Sequence, residues 1–369
     1  MTELRTASVD AVPGSRAGFT RARILAGVRG AGLPVAIALI VGGVVLAVTG
    51  NNPFVVYGML VREAFGDINR IDATLAAATP LLFTAVAAAF AYRAGVFTVG
   101  VEGSFVLGGL TAAVVGSSVG GLPPVLAVAV TLLSATVAGG AAAAIPALLR
   151  ARWAVDEVVT TLMFNFIVIG VANWSVQAFF QQRGQANSAT AYVAPAAELP
   201  PLNPPNQANV GLIIAIVVVA GYAVWMRRSV LGFEFRAVGS APRFSLAQGL
   251  RVRLVVFVAI LGAGLIGGLG GGAHALGIVH RYTSGFSASF GFTGIAIALL
   301  ARFNPIGIVV GAILFGALNS AGATVQLFVN IPIQLIDILQ GTVMVFAVAS
   351  FAIPRFMKRA RRGAGRDDA

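Results

Sequence analysis

The chain has 369 residues, of which 58% are hydrophobic and 10% are charged, and its mean hydropathy is +0.90. Soluble domains carry about 25% charged residues, so this composition indicates a polytopic membrane protein. The chain has no cysteine and only two histidines, which excludes disulfides and leaves little scope for a zinc site. The net charge of +12 sits at the ends of apolar runs, a membrane pattern that argues against nucleic-acid binding.

The apolar runs, taken in chain order, predict an all-α bundle of about ten membrane-spanning helices. A polar tail over residues 1–32 comes first, and a basic tail over residues 354–369 closes the chain after a transmembrane domain over residues 33–353. We expect the first span to be retained rather than cleaved as a signal peptide, because its charged leader is long. The eighth span is short for a bilayer of about 30 Å, so a count of eight to ten with a re-entrant pair remains open. The predicted spans are 33–49, 73–92, a third ending near 116, 125–149, 158–180, 210–226, 254–274, 290–301, 306–322 and 335–353.

Positive charge predicts the orientation of these spans. With both termini on one side, 21 of the 25 Lys and Arg residues fall on that side, and four fall on the other: Arg62, Arg70, Arg183 and Arg281. Cytoplasmic loops carry the excess of basic residues. We therefore expect both termini to be cytoplasmic.

The only lysine, Lys358, lies between Met357 and Arg359. A Walker A loop needs lysine after glycine and before Ser or Thr, where it reaches the nucleotide phosphates. The chain therefore has no such site and is expected to bind no cofactor. If ATP and magnesium drive its function, another polypeptide binds them.

Glu102 lies in a glycine-rich stretch, Gly95–Gly109, before the third span. An ionisable group inside a span costs about 2.5–3.5 kcal/mol and normally faces a cavity or a partner. Glycines allow close helix approach or a break whose backbone lines a cavity. Two interpretations stay open: a broken helix on a translocation pathway, or a glutamate that caps the third span at its cytoplasmic end.

Asn165 lies within the fifth span beside Phe164. An amide flanked by aromatic rings could line a pathway for a polar ring, or it could bond neighbouring helices together. Asp156 and Glu157 precede this span, where acidic residues favour a helix N-terminus. We expect them to cap it.

The loop over residues 227–253 carries six arginines and one acid, Glu234. Pro242 suits the first position of a short helix and Gly249 its end. Phe244, Ala247 and Leu250 recur at three-residue spacing, so such a helix would offer a partner apolar side chains and positive charge. The alternative is a basic amphipathic segment that contacts only lipid headgroups.

Four motifs in order resemble the permease subunits of bacterial ABC importers in the branched-chain amino acid/ribose/nucleoside permease family, and above all its nucleoside branch. They are FTVGVEGSFVLGG from Phe97, VDEVVTTLMFNFI from Val155, GFEFRAVGSAPRFSLAQGLRV from Gly232 and GFTGIAIALLARFNPIGIVVGAILFGAL from Gly291. The resemblance covers about residues 35–350. It implies a multi-pass protein of the bacterial cytoplasmic membrane that pairs with a second permease, alike or related, over two cytoplasmic ATPases. An extracytoplasmic binding lipoprotein would deliver the solute.

The resemblance also suggests roles for particular residues. It places the family's ATPase-coupling segment on Gly232–Gly249, and together with intramembrane polarity it suggests four pathway candidates, Glu102, Phe105, Phe164 and Asn165. The coupling candidates are Glu234, Arg236, Gly239, Pro242, Arg243, Phe244, Ala247 and Gly249.

The sequence departs from the family pattern at four places near these motifs. Thr98-Val99-Gly100 replaces Asn-Ile-Gly, Ser104 replaces Gln, Ser240 replaces Asn and Thr293 replaces Asp. Nucleosides are the expected cargo, with ribose-like sugars and branched-chain amino acids as alternatives. An ion-coupled secondary transporter would need more mid-span carboxylates or histidines, and no convincing constellation for an intramembrane enzyme is present.

Overall fold

The computed structural model describes residues 36–182 apart from 38, 49 and 51, residues 188–329, and residues 338, 340–342 and 345. Within these residues the chain is helical and contains no β-strand beyond two isolated bridges. The two polar tails and most of the predicted last span lie outside them. The helices are α1 (Leu39–Val48), α2 (Pro53–Phe65), α3 (Ile68–Arg93), α4 (Val101–Ser118), α5 (Pro124–Trp153), α6 (Glu157–Ser175), α7 (Val210–Arg228), α8 (Val230–Ser240), α9 (Pro242–Ala247), α10 (Val252–His274), α11 (Phe290–Leu300) and α12 (Pro305–Val329).

Seven of these helices are long and apolar enough to cross a membrane: α3, α4, α5, α6, α7, α10 and α12. Short π-helical turns, Val176–Phe180 and Ala275–Val279, extend α6 and α10. The all-helical, multi-span class predicted from hydropathy is confirmed. The prediction of ten spans stays a prediction, because α1 and α11 are short and the last span is described at only a few residues.

The expected capping residues begin and end helices as their chemistry predicts. The Asp156 side chain accepts hydrogen bonds from the backbone N–H groups of Val158 and Val159, each at 3.0 Å, at the start of α6. An N-cap of this kind satisfies donors that have no partner within the helix. The capping prediction for Asp156 is therefore confirmed.

Close packing of α10 against α4 and α5 forms the centre of the bundle, and glycines make it possible. A Cβ added at Gly268 would lie 2.7 Å from the Cα of Gly139 on α5, and one at Gly108 on α4 would lie 2.6 Å from the Cα of Gly268. No side chain fits at such distances. Small residues at helix contacts are how membrane helices associate when lipid offers no hydrophobic driving force.

Long-range contacts fix which helix ends lie together. The Phe303 carbonyl accepts hydrogen bonds from Arg93 Nη2 at 3.0 Å and from the Tyr222 hydroxyl at 3.1 Å, so the ends of α3, α7 and α11 share one side. The start of α3 meets the residue before α7 on the other side, where Asp72 accepts a bond from the Ala208 N–H at 2.7 Å.

Helix α11 spans only part of the membrane. Its 11 residues rise about 16 Å at 1.5 Å per residue, roughly half of the hydrocarbon thickness of about 30 Å. The loop before it enters the bundle, because the Phe286 ring lies 5.8 Å from the ring of Phe105 on α4. The length of α11 agrees with the short predicted eighth span, and a re-entrant pair at this place stays a prediction.

The contacts between helix ends predict that α8 and the loop before α11 lie on opposite sides of the membrane. The chain has no cysteine, so Ser240→Cys and Ser284→Cys, both at exposed positions, each introduce a single thiol. We expect a membrane-impermeant maleimide to label the two variants from opposite faces of sealed vesicles. Labelling of both from the same face would contradict the fold.

Candidate functional site

The chain between α3 and α4 is a largely buried break in the helical structure. Helix α3 ends in a turn at Gly95 (φ 77°), where the Gly95 N–H donates to the Tyr92 carbonyl and the Val96 N–H to the Ala91 carbonyl. The left-handed conformation at this position favours glycine. Residues 96–99 then run without regular structure until α4 begins at Val101. Glu102 is the second residue of α4, so both interpretations of this stretch, a broken helix on a pathway and a glutamate that caps the third span, stay predictions.

Side chains of α6 satisfy the backbone of this broken segment. The Asn165 amide donates from Nδ2 to the Val99 carbonyl at 2.8 Å, and its Oδ1 accepts from the Gly103 N–H at 3.0 Å. The Thr161 hydroxyl accepts from the Val99 N–H at 3.1 Å. Non-helical backbone within a membrane is tolerated only where protein or a water-filled cavity satisfies its polar groups. Asn165, which is 3% exposed, therefore bonds two helices together as well as lying at the break.

Thr161 was not among the residues singled out from the sequence. It lies four residues before Asn165 and therefore on the same face of α6. That spacing of two polar residues on one face was the signal that could have identified it.

Glu102 joins the start of α4 to the start of α11. Its side chain accepts a hydrogen bond at Oε2 from the Gly291 N–H at 2.6 Å, and the residue is 4% exposed. A carboxylate is favourable at a helix N-terminus, where backbone N–H groups carry partial positive charge. Glu102 thus bonds to the half-length helix α11. Whether it also lines a pathway stays a prediction.

A narrow crevice lies between α4, α5, α6 and α10, with room for about one water molecule. Ligand pockets usually enclose about 300–1,000 Å³, so the crevice would have to widen before it could hold a solute. Asn165 and the half-buried Phe164 line it, together with Thr98, Thr161 and Ser104. The Ser104 hydroxyl is buried and has no hydrogen-bond partner among the described residues.

Phe105 lies outside this crevice, in an aromatic cluster on another face of α4. It is 0% exposed, and its ring lies 5.7–5.8 Å from the rings of His274, Phe286 and Phe290. The structure thus brings Phe164 and Asn165 to one crevice and places Glu102 and Phe105 against α11 and its preceding loop. Groups of three or more potential metal ligands are absent from the described residues.

The arginine-rich loop folds as two helices, α8 and α9. Phe235 of α8 is fully buried, with its ring 5.0 Å from Trp225 and 5.2 Å from Phe90. The Arg236 guanidinium donates a hydrogen bond to the Met226 carbonyl. Glu234 is half-buried beside them. Helix α8 is therefore anchored to the ends of α3 and α7.

Helix α9 is short and exposed. Pro242 occupies its first turn, and the chain reverses at Gly249 (φ 81°), where the Gly249 and Leu250 N–H groups donate to the Leu246 and Ser245 carbonyls. The predicted start and stop are confirmed. The predicted stripe ends early, because Leu250 follows this turn; the exposed apolar pair is Phe244 and Leu246, each 66% exposed. Arg243 and Ala247 are also exposed.

The backbone of α8 is in direct contact with the turn that precedes residues 96–99. Gly239 near the end of α8 packs on the turn after α3, where an added Cβ would overlap the Arg93 carbonyl oxygen and lie 2.9 Å from the Gly95 nitrogen. A Cβ at Gly95 would in turn lie 3.0 Å from the Gly239 Cα. The exposed helix is thus connected through backbone contact to the broken segment.

Seven membrane-length helices around an interior crevice, with an anchored and exposed helix pair at one end, are an arrangement suited to a membrane permease. Residues 70–348 match the family described as the branched-chain amino acid transport system permease component. The chain belongs to this family of ABC transporter permeases, whose members are transport subunits rather than enzymes.

Three curated relatives cover most of the chain. The glucose ABC transporter permease protein TsgB13 of Haloferax volcanii is 33% identical over 90% of this chain and 88% of its own length. The guanosine permease protein NupP of Bacillus subtilis is 29% identical over 89% and 95%, and the nucleoside permease protein NupB of Lactococcus lactis is 28% identical over 89% and 93%. A second guanosine permease protein of Bacillus subtilis, NupQ, is 26% identical over 71% and 85%. No solved structure matches the chain.

We expect Asn165→Leu to impair both stability and solute uptake. The change leaves the Val99 carbonyl and the Gly103 N–H without their partners, and an unsatisfied buried group costs about 1–3 kcal/mol. The unfolding temperature of the purified protein should fall, and so should uptake in cells.

Phe166→Leu is the matched control, because Phe166 is the next residue of α6 and is 64% exposed. It should leave both measurements unchanged. Normal uptake by Asn165→Leu would remove Asn165 from the pathway candidates.

Proposed function

We propose that this chain is one permease half of an ABC importer that moves nucleosides into the cell by alternating access. Partner ATPases bind ATP and magnesium, and their closure pushes on this chain to open the pathway outward. The observation that carries the proposal is the exposure of Phe244 and Leu246 on helix α9. The preceding helix, α8, holds α9 in place because it is packed against Trp225 of α7. An exposed aromatic beside charge is typical of a protein interface.

The anchoring of α8 favours an ATPase over lipid as the occupant of this helix pair. Arg243 lies on α9 itself, and Arg251 and Arg253 follow its end. A helix that bound only lipid headgroups would bury its apolar side chains in the membrane. The apolar side chain of Phe235 on α8 is instead buried against the other helices of the protein. The absence of a Walker lysine from the sequence requires ATP to act from another chain. These observations support the coupling role that we propose for Glu234, Arg236, Gly239, Pro242, Arg243, Phe244, Ala247 and Gly249.

The proposed topology has ten crossings with both termini in the cytoplasm, in the cytoplasmic membrane of a bacterium. The seven long helices, the re-entrant crossing through α11, α1 and the last span make up this number. The described ends that carry Arg93, Arg302 and α8 lie together, and the positive-inside rule assigns them to the cytoplasm. Residues 1–32 and 354–369 are then cytoplasmic tails on a transmembrane domain over residues 33–353.

The proposed pathway runs along α4, where the bundle contains its breaks. Phe164 and Asn165 would present an aromatic face and an amide to a polar ring, and the unpaired Ser104 hydroxyl lies in the same crevice. Glu102 and Phe105 lie where α4 meets the half-length helix α11. Tilting of the helices around α4 would widen the crevice from its small volume.

The proposed partners follow from the same arrangement and from the relatives. A second permease completes the pathway, as the pair NupP and NupQ from one bacterium suggests, and it could be a copy of this chain or a related chain. An extracytoplasmic lipoprotein delivers the solute. Membrane lipid covers the remaining apolar faces of the spans.

A sugar is the second candidate cargo, because TsgB13 is named as a glucose permease and is 33% identical to this chain. Nucleosides remain first because NupP and NupB are named for guanosine and nucleosides. Both cargo classes carry several hydroxyl groups, so the same hydroxyl and amide groups of the protein would serve either cargo.

We expect Phe244→Ala to weaken ATPase binding without unfolding the chain. Loss of an aromatic anchor at an interface costs about 2 kcal/mol, or about 30-fold in affinity. The amount of the transporter's ATPase subunit that co-purifies with this chain should fall. Phe54→Ala is the control, because Phe54 lies on α2, far from α9 in the sequence, and its side chain is 85% exposed. This variant should retain the ATPase. Equal retention by both variants would argue against docking at α9.

Uptake by cells that express the whole transporter should identify the cargo. We expect ATP-dependent accumulation of a labelled nucleoside that excess unlabelled nucleoside abolishes and excess glucose or leucine leaves unchanged. Competition by glucose would favour the sugar alternative, and competition by leucine would favour an amino acid cargo. Accumulation that an ion gradient drives without ATP would contradict the proposed class of transporter.

A further inference from the structure

We propose that the contact between Gly239 and Gly95 is the joint that transmits ATPase movement to the solute pathway, and that its function requires both residues to lack a side chain. This inference rests on the proposed function and assigns a mechanical role to one backbone contact. Gly239 lies at the end of α8, three residues before α9, and Gly95 lies at the turn that ends α3.

The joint is rigid because it is backbone against backbone. A Cβ at Gly239 would overlap the Arg93 carbonyl oxygen and lie 2.9 Å from the Gly95 nitrogen. Side chains change rotamer under load, whereas two main chains in contact have no such freedom. A displacement of α8 is therefore passed to the turn at Gly95 rather than absorbed.

The input side of the joint moves as one piece with the docking helix. Only Ala241 separates α8 from α9, and its N–H donates to the Ala237 carbonyl while its carbonyl accepts from the Ser245 N–H at 2.9 Å. Phe235 and Val238 of α8 are buried against the bundle. Force on Phe244 therefore reaches Gly239 over less than three turns of helix.

The output side of the joint leads directly to the pathway residues. Residues 96–99 follow Gly95 without regular structure, and their far end is held by Asn165 and Thr161 of α6 through Val99. Glu102 then connects the start of α4 to α11. A shift at Gly95 therefore acts on α4, α6 and α11 together, which are the helices around the break.

A second link limits where the movement can go. Arg93, two residues before Gly95, donates to the Phe303 carbonyl at the turn between α11 and α12. Phe303 has positive φ (58°), as does Arg302 (50°), so this turn is itself tightly constrained. The ends of α3 and α11 are thus held to each other while the segment after Gly95 is displaced.

Gly239→Ala and Gly95→Asn test the joint in the assembled transporter, reconstituted with its ATPases and binding protein. The readout is the ratio of solute transported to ATP hydrolysed. Poor folding lowers both rates equally and leaves this ratio unchanged, whereas loss of transmission lowers transport while hydrolysis continues. We expect the ratio to fall about tenfold for Gly239→Ala, within the range of allosteric coupling effects. A smaller fall is expected for Gly95→Asn, whose Cβ approaches Gly239 less closely.

Two glycines provide matched controls. Gly285 has the same backbone conformation as Gly95 (φ 81° against 77°), and nothing lies within 4 Å of a Cβ added there, so Gly285→Asn reproduces the conformational cost without the contact. Asn tolerates this conformation better than most residues. Gly221 on α7 likewise has no atom within 4 Å of an added Cβ, so Gly221→Ala controls for alanine in a helix. Both should keep the wild-type ratio.

The outcomes separate this inference from the proposed function. A wild-type ratio in Gly239→Ala and Gly95→Asn, whether the two rates are normal or equally reduced, would overturn the joint and leave the ABC permease assignment intact. A wild-type complex that transports without ATP hydrolysis would overturn both. A reduced ratio in both variants with normal controls would support the joint.

Discussion

The structure depends on one constraint of the membrane: backbone that is not helical must find its hydrogen bonds inside the protein. Residues 96–99 have no helical hydrogen bonds between α3 and α4. Asn165 and Thr161 instead bond to the carbonyl and the N–H of Val99. The position of α6 against α4 follows from these bonds. So does the starting point of α4, and with it the depth at which Glu102 meets α11.

Features set by neighbouring residues could be predicted from the sequence. Three such features are the cap at Asp156, the start of α9 at Pro242 and its end at Gly249. Each depends on the types of a few neighbouring residues, which the sequence shows directly. Hydropathy likewise identified the long spans. The shortness of the eighth span was visible too and suggested a re-entrant pair, but the contact of Phe286 with Phe105 was not predictable, because the two residues are distant in the sequence.

The contacts of the site could not be predicted, because their partners are distant in the sequence. Asn165 bonds to backbone 62 and 66 residues away, and Glu102 to a residue 189 away. A polar residue in a span usually has a hydrogen-bond partner, but one sequence does not say which residue that is. The sequence likewise did not show that Phe164 lines the crevice and Phe105 does not. Which face of α4 borders the crevice depends on how α10 packs against it.

Helix α5 has a length that ties the protein to the thickness of its bilayer. Its 30 residues extend about 45 Å, which matches a bilayer with its headgroups but exceeds the hydrocarbon layer of about 30 Å. Such a helix tilts or thickens the membrane around it. Arg150 near its end forms an ion pair with Glu157 at 2.9 Å, so the end of this long helix is linked to the start of α6, the helix that carries Asn165.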